Sequence, residues 1–274
     1  MTRISPLEEH AGRLRTRMGG AFVGQRAVFR GHDLHAELAD MDWLALYVFG
    51  ITGQRYTPAQ IKVLHAIWVC TSYPDARIWN NRVAALAGSA RSSGTLAVAA
   101  ALAVSEAEIY GRGIDIRAAS FIQRAQQVIA SGSSLDDCVR DELKRHRAIA
   151  GYGRPIAAGD ERIAPMLRLV EREGLAGGAH VQAALAVEKH LQEGRWRLRM
   201  NYAALTAALT SDMGFTPRQH YQYGFPAFLA GMQPCYIEAS EQPAGALLPL
   251  ACDNVTYEGH APRTWGEGLV VPGQ

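Results

Sequence analysis

The stretch "IAGYGRPIAAGDERIAPML", residues 149–167, carries a Gly-Tyr-Gly turn, a basic residue, a short polar loop, and then Asp-Glu-Arg ahead of an apolar-periodic run. Glycines at 151 and 153 let the backbone turn tightly and approach a neighbour closely, so the turn is expected to bring bare backbone near a ligand. Arg154 and Arg162, which follow it, suit an anion, because a guanidinium presents a planar fork of donors to a carboxylate or phosphate.

Outward from this turn the pattern is helical. "MDWLALYVFGITG" (41–53) is an apolar stripe ending at glycine, which predicts a helix with a C-cap. "TPAQIKVLHAIWVCTSY" (57–73) opens with Thr57 as N-cap and Pro58 in the first turn. Residues 78–111 are alanine-rich with small residues at helical spacing, and the run from Thr95 predicts a buried helix. Residues 119–132 and 134–149 predict two amphipathic helices, the second capped at "SSLDD". Beyond the turn, residues 161–174, 178–194, 201–214 and 216–240 continue the helical pattern. Period-2 alternation is nearly absent, with one short hairpin expected at 21–31. The expected fold class is all-α. We expect residues 1–274 to form one unit with a large helical domain. A smaller helical subdomain with the cleft-lining motifs falls at about 149–240, and an extended Gly- and Pro-rich tail at 242–274.

The bulk numbers exclude several classes. The 274 residues, 48% hydrophobic and 20% charged, suffice for a sizeable core. A net charge of +2 gives no footprint for nucleic acid, and local basic runs read as solvated helix faces. No run reaches the roughly 18 apolar residues of a membrane span, and the polar N-terminus is no signal peptide. Cys70, Cys138, Cys235 and Cys252 lack paired CxxC spacing, so free thiols and a cytoplasmic location are expected. "GHDLH" (31–35) places two histidines around Asp33, and a solvated turn explains it better than a metal site, so no metal is expected. There is no P-loop, no HExxH and no nucleophile elbow.

The order of segments resembles the citrate synthase superfamily, and within it the short citryl-CoA-lyase-like form. "VFRGHDLHAEL" (28–38) is similar to the family's early "RG-x-D-L" segment, and "WLALYVFGITGQ" (43–54) follows it as the family's next helix does. "PDARIWNNRVAALAGS" (74–89) sits where the family has an Asp-His ahead of "RVAAST". "AEIYGRGID" (107–115) sits at its "GPLHGGAN". "GYGRPIAAGDER" (151–162) matches its "GFGHRVY…DPR" segment, and "MNYAALTAALTSDMGF" (200–215) its "NVDFYSGLVLRAMGI" segment. The resemblance implies a homodimer whose cleft joins a coenzyme A thioester to a 2-oxo acid, with no tightly bound cofactor.

The chain departs from that pattern where the chemistry lies. The family's first catalytic histidine falls on Tyr110, its second on Arg154, its catalytic aspartate on Ala203, and the histidine of Asp-His on Ala76, with Arg77 next; the final arginine is retained as Arg162. Alanine cannot accept a proton, so citrate synthesis from acetyl-CoA is not expected. Tyr110 keeps a hydroxyl that could serve as acid or oxyanion donor. Arg154 is permanently charged and clamps anions rather than transferring protons. The expected site is thus Tyr110 and Arg154 as catalytic residues, with Arg77, Arg112, Tyr152, Arg162 and Asn201 binding substrate. Two readings stay open: an enzyme with rewired acyl-CoA or C–C bond chemistry, and a non-catalytic ligand sensor or partner subunit.

Overall fold

The structure, a computed structural model, describes residues 5, 11–12, 15–109, 111–154, 159–247 and 251–261. Its helices are α1 (Trp43–Thr52), α2 (Pro58–Thr71), α3 (Trp79–Ser89), α4 (Gly94–Val104), α5 (Asp115–Ala130), α6 (Leu135–His146), α7 (Ile163–Arg172), α8 (Ala179–Glu193), α9 (Tyr202–Asp212), α10 (Pro217–Gly224) and α11 (Leu229–Glu241). The caps follow from the side chains. The Thr57 hydroxyl accepts the Gln60 N–H while the Gln60 side chain accepts from Thr57 N–H, and Thr216 with Gln219 repeats this box at α10. Ser134 caps α6, and Gly53 ends α1 in the left-handed region at φ 76°.

The hairpin begins two residues before its expected position: β1 (Gly19–Phe22) pairs antiparallel with β2 (Arg26–Phe29), and β3 (His32–Asp33) adds a third short strand. In the "GHDLH" turn, the Asp33 carboxylate accepts the N–H groups of His35 and Ala36, and the His32 ring bonds Glu37. Among the described residues no group of three or more His, Cys, Asp or Glu side chains is arranged to hold a metal ion.

Helix α9 is the centre of the core. Every residue from Tyr202 to Ser211 except Ala203 is buried, which accounts for its lack of a polar face. Helices α5, α8 and α10 surround it, and truncating Leu205 or Leu209 to alanine would cost about 2–5 kcal/mol. A second cluster joins Ala84, Ala101 and Met232 from α3, α4 and α11. Gly88 permits this contact: a Cβ there would lie 2.4 Å from the Tyr236 carbonyl oxygen.

The alanine-rich stretch 78–111 divides at Ala90–Ser93, where Arg91 takes a positive φ and the Ser93 hydroxyl starts α4, one residue ahead of the helix expected from Thr95. Two expectations need correction. Residues 216–240 divide at the 3-10 turn Phe225–Phe228, because Pro226 cannot continue the α10 hydrogen-bond ladder. Helix α4 is not a buried helix: only Ala97 and Ala101 are buried, while Leu96 is 65% exposed. Among the described residues helices α3 and α11 cover one side of it, and Leu96 stands exposed on another.

The start of the expected tail is pinned to α3, where Ser89 accepts the N–H groups of Gly245 and Leu247. The Arg91 guanidinium also binds the carbonyls of Ser240 and Gln242. Residues 251–261 include a short 3-10 turn, Cys252–Asn254, and the remainder of 242–274 lies outside the described residues. Among the described residues no helix is long and apolar enough to cross a membrane.

Candidate functional site

The Gly-Tyr-Gly turn meets the strand-like segment ahead of α9. Tyr152 and Met200 form an antiparallel bridge, Asn201 N–H donates to the Gly151 carbonyl at 2.9 Å, and Gly153 N–H donates to the Arg199 carbonyl at 2.7 Å. Gly151 has φ 90°, and a Cβ there would lie 2.6 Å from that of Ala204. The bare backbone approaches α9, so the glycine serves helix contact. Asn201 fastens both parts: its Nδ2 donates to the Gly153 carbonyl, while its Oδ1 accepts Ala203 N–H and caps α9. The Tyr152 hydroxyl points away, donating to the Ala184 carbonyl at 2.9 Å, and burial holds that phenol well above its ordinary pKa.

Asp160 ties the following loop to the same helix end. It accepts Arg162 Nε at 2.8 Å and Nη2 at 2.7 Å, and also accepts the Tyr202 N–H at 2.9 Å. Burial alone would raise its pKa, and the Arg162 fork and Tyr202 N–H outweigh it to hold the carboxyl low. The Arg162 guanidinium lies 4.4 Å from the Tyr202 ring centroid and 5.7 Å from that of Tyr73. Arg154 Nη1 donates to Glu161 at 3.0 Å and to the Gly159 carbonyl at 2.9 Å, and the Tyr73 hydroxyl donates to the other Glu161 oxygen.

These groups border one cavity of about 630 Å³, set where α2, α3, α5, α9 and α10 end or begin. Arg77, Arg112, Tyr152, Arg154, Arg162 and Asn201 all line it. Tyr110 lies outside the described residues; its neighbours Ile109 and Gly111 line the cavity. The six differ in what they offer. Arg77 is exposed and forks onto Asp75, whose carboxyl it lowers to about 2. Arg162 and Arg154 carry their own carboxylates, Asp160 and Glu161. Tyr152 presents backbone rather than hydroxyl. Arg112 is buried, donates from Nε to Asp115 at 3.1 Å, and stacks 4.6 Å from the Tyr221 centroid; its Nη2 is buried with no hydrogen-bond partner among the described residues.

Sequence reasoning missed three lining residues. Asp115, the first residue of α5, is 15% exposed at the side chain, and burial, partly offset by Arg112, raises its carboxyl to about 6. Arg117, on the same turn, makes no hydrogen bond or ion pair among the described residues, and its Nε is buried. His220 on α10 is buried; its Nδ1 shares a 2.9 Å hydrogen bond with the Thr210 hydroxyl, and its Nε2 has no hydrogen-bond partner among the described residues. Burial, with Arg112 nearby, pulls its pKa down to about 3, so it is neutral. The alternation "RGIDIR" (112–117) was the available signal for the first two. His220 carried none, because only the packing of α10 on α5 and α9 brings it to the cavity.

No protein-family model and no curated protein matches this sequence. Solved structures do match. Citryl-CoA lyase from Hydrogenobacter thermophilus is 21% identical with a TM-score of 0.80, over 92% of this chain and 97% of that one. ATP citrate lyase from Methanosaeta concilii, in complex with (3S)-citryl-CoA, is 15% identical with a TM-score of 0.73, over 90% of this chain and 42% of that one. Citrate synthase from Thermoplasma acidophilum, in complex with carboxymethyl coenzyme A and oxaloacetate, is 15% identical with a TM-score of 0.63, over 82% of this chain and 59% of that one. The chain thus spans nearly the whole of the first and about half of the other two. The mostly helical architecture is a citrate-synthase-like fold.

Proposed function

We propose that the cavity binds a small carboxylic acid or its coenzyme A thioester, and that the protein is a C–C bond lyase or synthase of altered mechanism. The observation that carries this is one cavity of about 630 Å³ lined by Arg77, Arg112, Arg117, Arg154 and Arg162, in a fold whose solved examples include complexes with citryl-CoA and oxaloacetate. The volume falls in the ordinary range of small-molecule sites. Ala203 lines the cavity and offers no base. Asp160 is committed to Arg162 and Tyr202, which leaves Asp115, with its carboxyl near 6, as the buried carboxylate able to take a proton near neutral pH. Arg154 stabilises developing negative charge once its exposed partner Glu161 is displaced, and Tyr110 retains the role of hydroxyl donor. The protein works as a cytoplasmic homodimer, its apolar α4 face covered by a second copy.

The second reading, a non-catalytic ligand sensor or partner subunit, draws on Ala203 and on the internal pairing of Arg154 and Arg162. A thermal-shift series with citrate, oxaloacetate, acetyl-CoA and coenzyme A tests binding, since a ligand at 100 times its Kd stabilises by about 2.7 kcal/mol. No shift with any of the four refutes the first reading and the ligand-sensor form of the second. Binding without thiol release or acyl cleavage selects the second.

A further inference from the structure

The arginines of the cavity are unequal in what they have left to give. A guanidinium has five N–H donors. Arg77 and Arg162 each spend Nε and Nη2 on a carboxylate two residues away, and Arg154 spends Nη1 on Glu161 and a carbonyl. An incoming anion must compete there with a tethered one. The other end of the cavity differs. Arg112 gives one nitrogen, Nε, to Asp115 at 3.1 Å, and its buried Nη2 has no hydrogen-bond partner among the described residues. Arg117 has no ion pair or hydrogen bond among the described residues, and its buried Nε also lacks an acceptor. Helix α5 starts on this turn with no side-chain cap at Ile114, so the positive end of its dipole has no side chain bonded to it. Tyr221 and the hydrogen-only face of Gly224 hold the Arg112 guanidinium flat: a Cβ on Gly224 would lie 3.1–3.3 Å from it. Buried donors without acceptors are costly to leave unmade, and an acceptor bound between the two arginines removes that cost.

We propose that the Arg112–Arg117 turn is the anion subsite of this cavity, seating a carboxylate of the ligand between the two guanidiniums at the start of α5. This rests on the carboxylic-acid reading above and names where the acid is anchored. Asp115 sits beside the seated group, where it can exchange a proton with the ligand.

Calorimetry on the full chain tests it, with citrate as the carboxylate probe and inorganic phosphate as the alternative anion. Arg117 is partly exposed and makes no hydrogen bond or ion pair among the described residues, so Arg117→Ala is expected to fold, with unchanged circular dichroism. It should weaken citrate binding by about tenfold to 150-fold, the range for losing one charge-assisted hydrogen bond. Arg117→Lys should restore part of the loss, because an ammonium keeps charge without the fork. Arg168→Ala, on the exposed side of α7, should bind as wild type. Citrate binding to folded Arg117→Ala within twofold of wild type overturns the subsite and leaves the carboxylic-acid reading standing. Arg117-dependent binding of phosphate without citrate overturns the carboxylate assignment. No binding of citrate, oxaloacetate, acetyl-CoA or coenzyme A by the wild-type protein overturns the carboxylic-acid reading itself, and the subsite with it.

Discussion

Replacing Gly151 with alanine should be among the most damaging single-methyl additions to this protein, for two reasons that sum. The residue has φ 90°, and the new Cβ would lie 2.6 Å from Ala204 Cβ and 2.9 Å from its Cα and N. Left-handed backbone costs an alanine roughly 1–2 kcal/mol. Forcing a methyl into packed core costs about 1–3 kcal/mol more, and here the obstruction includes the backbone of α9, which cannot rotate aside. The expected destabilisation is therefore about 2–5 kcal/mol. Gly132→Ala isolates the first part: Gly132 has φ 69° with nothing within 4 Å of its added Cβ. Urea unfolding followed by circular dichroism measures both. With m on the order of 2–3 kcal/mol per molar, Gly151→Ala should lower the midpoint by about 1 M or more at unchanged m. Gly132→Ala should lower it by about half as much or less. Equal midpoints for the two variants would refute the close approach of turn and helix.

Asp160→Asn removes the buried charge that holds the partly buried Arg162 and should destabilise by about 2–3 kcal/mol, because the guanidinium is left without its carboxylate; a chemical melt within about 0.5 kcal/mol of wild type contradicts this. His220 is neutral in the folded protein with its pKa near 3, below the 6.5 of the unfolded chain, so the folded state binds fewer protons between those values. Its contribution is present above pH 6.5 and is lost as pH falls towards 3, by at most about 5 kcal/mol; His220→Asn should flatten the measured stability–pH slope in that window. Asp115 acts in the opposite sense. Its carboxyl near 6 favours the folded state as pH falls from 6 towards 3.8, so in the His220→Asn background stability should rise over that range; a fall there contradicts the buried placement of Asp115. Leu96→Asp, on the open face of α4, should convert a dimer to monomer in sedimentation experiments; an unchanged mass with intact helicity excludes that face as the interface.

Much of the fold was legible because its cues are local. Thr57-Pro58 and Thr216-Pro217 mark helix starts within four residues, since a capping box involves no distant partner. Gly53 marks a helix end for the same reason. Interruptions were harder. The break at Ala90–Ser93 depends on α11, whose end Arg91 reaches across 149 residues of sequence to bind. Exposure was misjudged at α4, where a largely apolar helix reads as buried although only its Ala97 and Ala101 are. Periodicity reports the amphipathicity of a helix and says nothing of a partner outside the chain.

The sequence by itself determined the all-α class and the order of the segments, because these are properties of residue identity and spacing. It also named six residues that line the cavity. Their state was decided only by the tertiary structure. Arg154 and Arg162 read as clamps for a ligand anion, yet Glu161 and Asp160 already occupy them. Tyr152 read as a ligand contact, yet its hydroxyl bonds Ala184 on α8. Arg117 drew no notice and makes no hydrogen bond or ion pair among the described residues. Whether a guanidinium is spent or available depends on which carboxylate lies within about 3 Å, and that distance is set by how the helices pack.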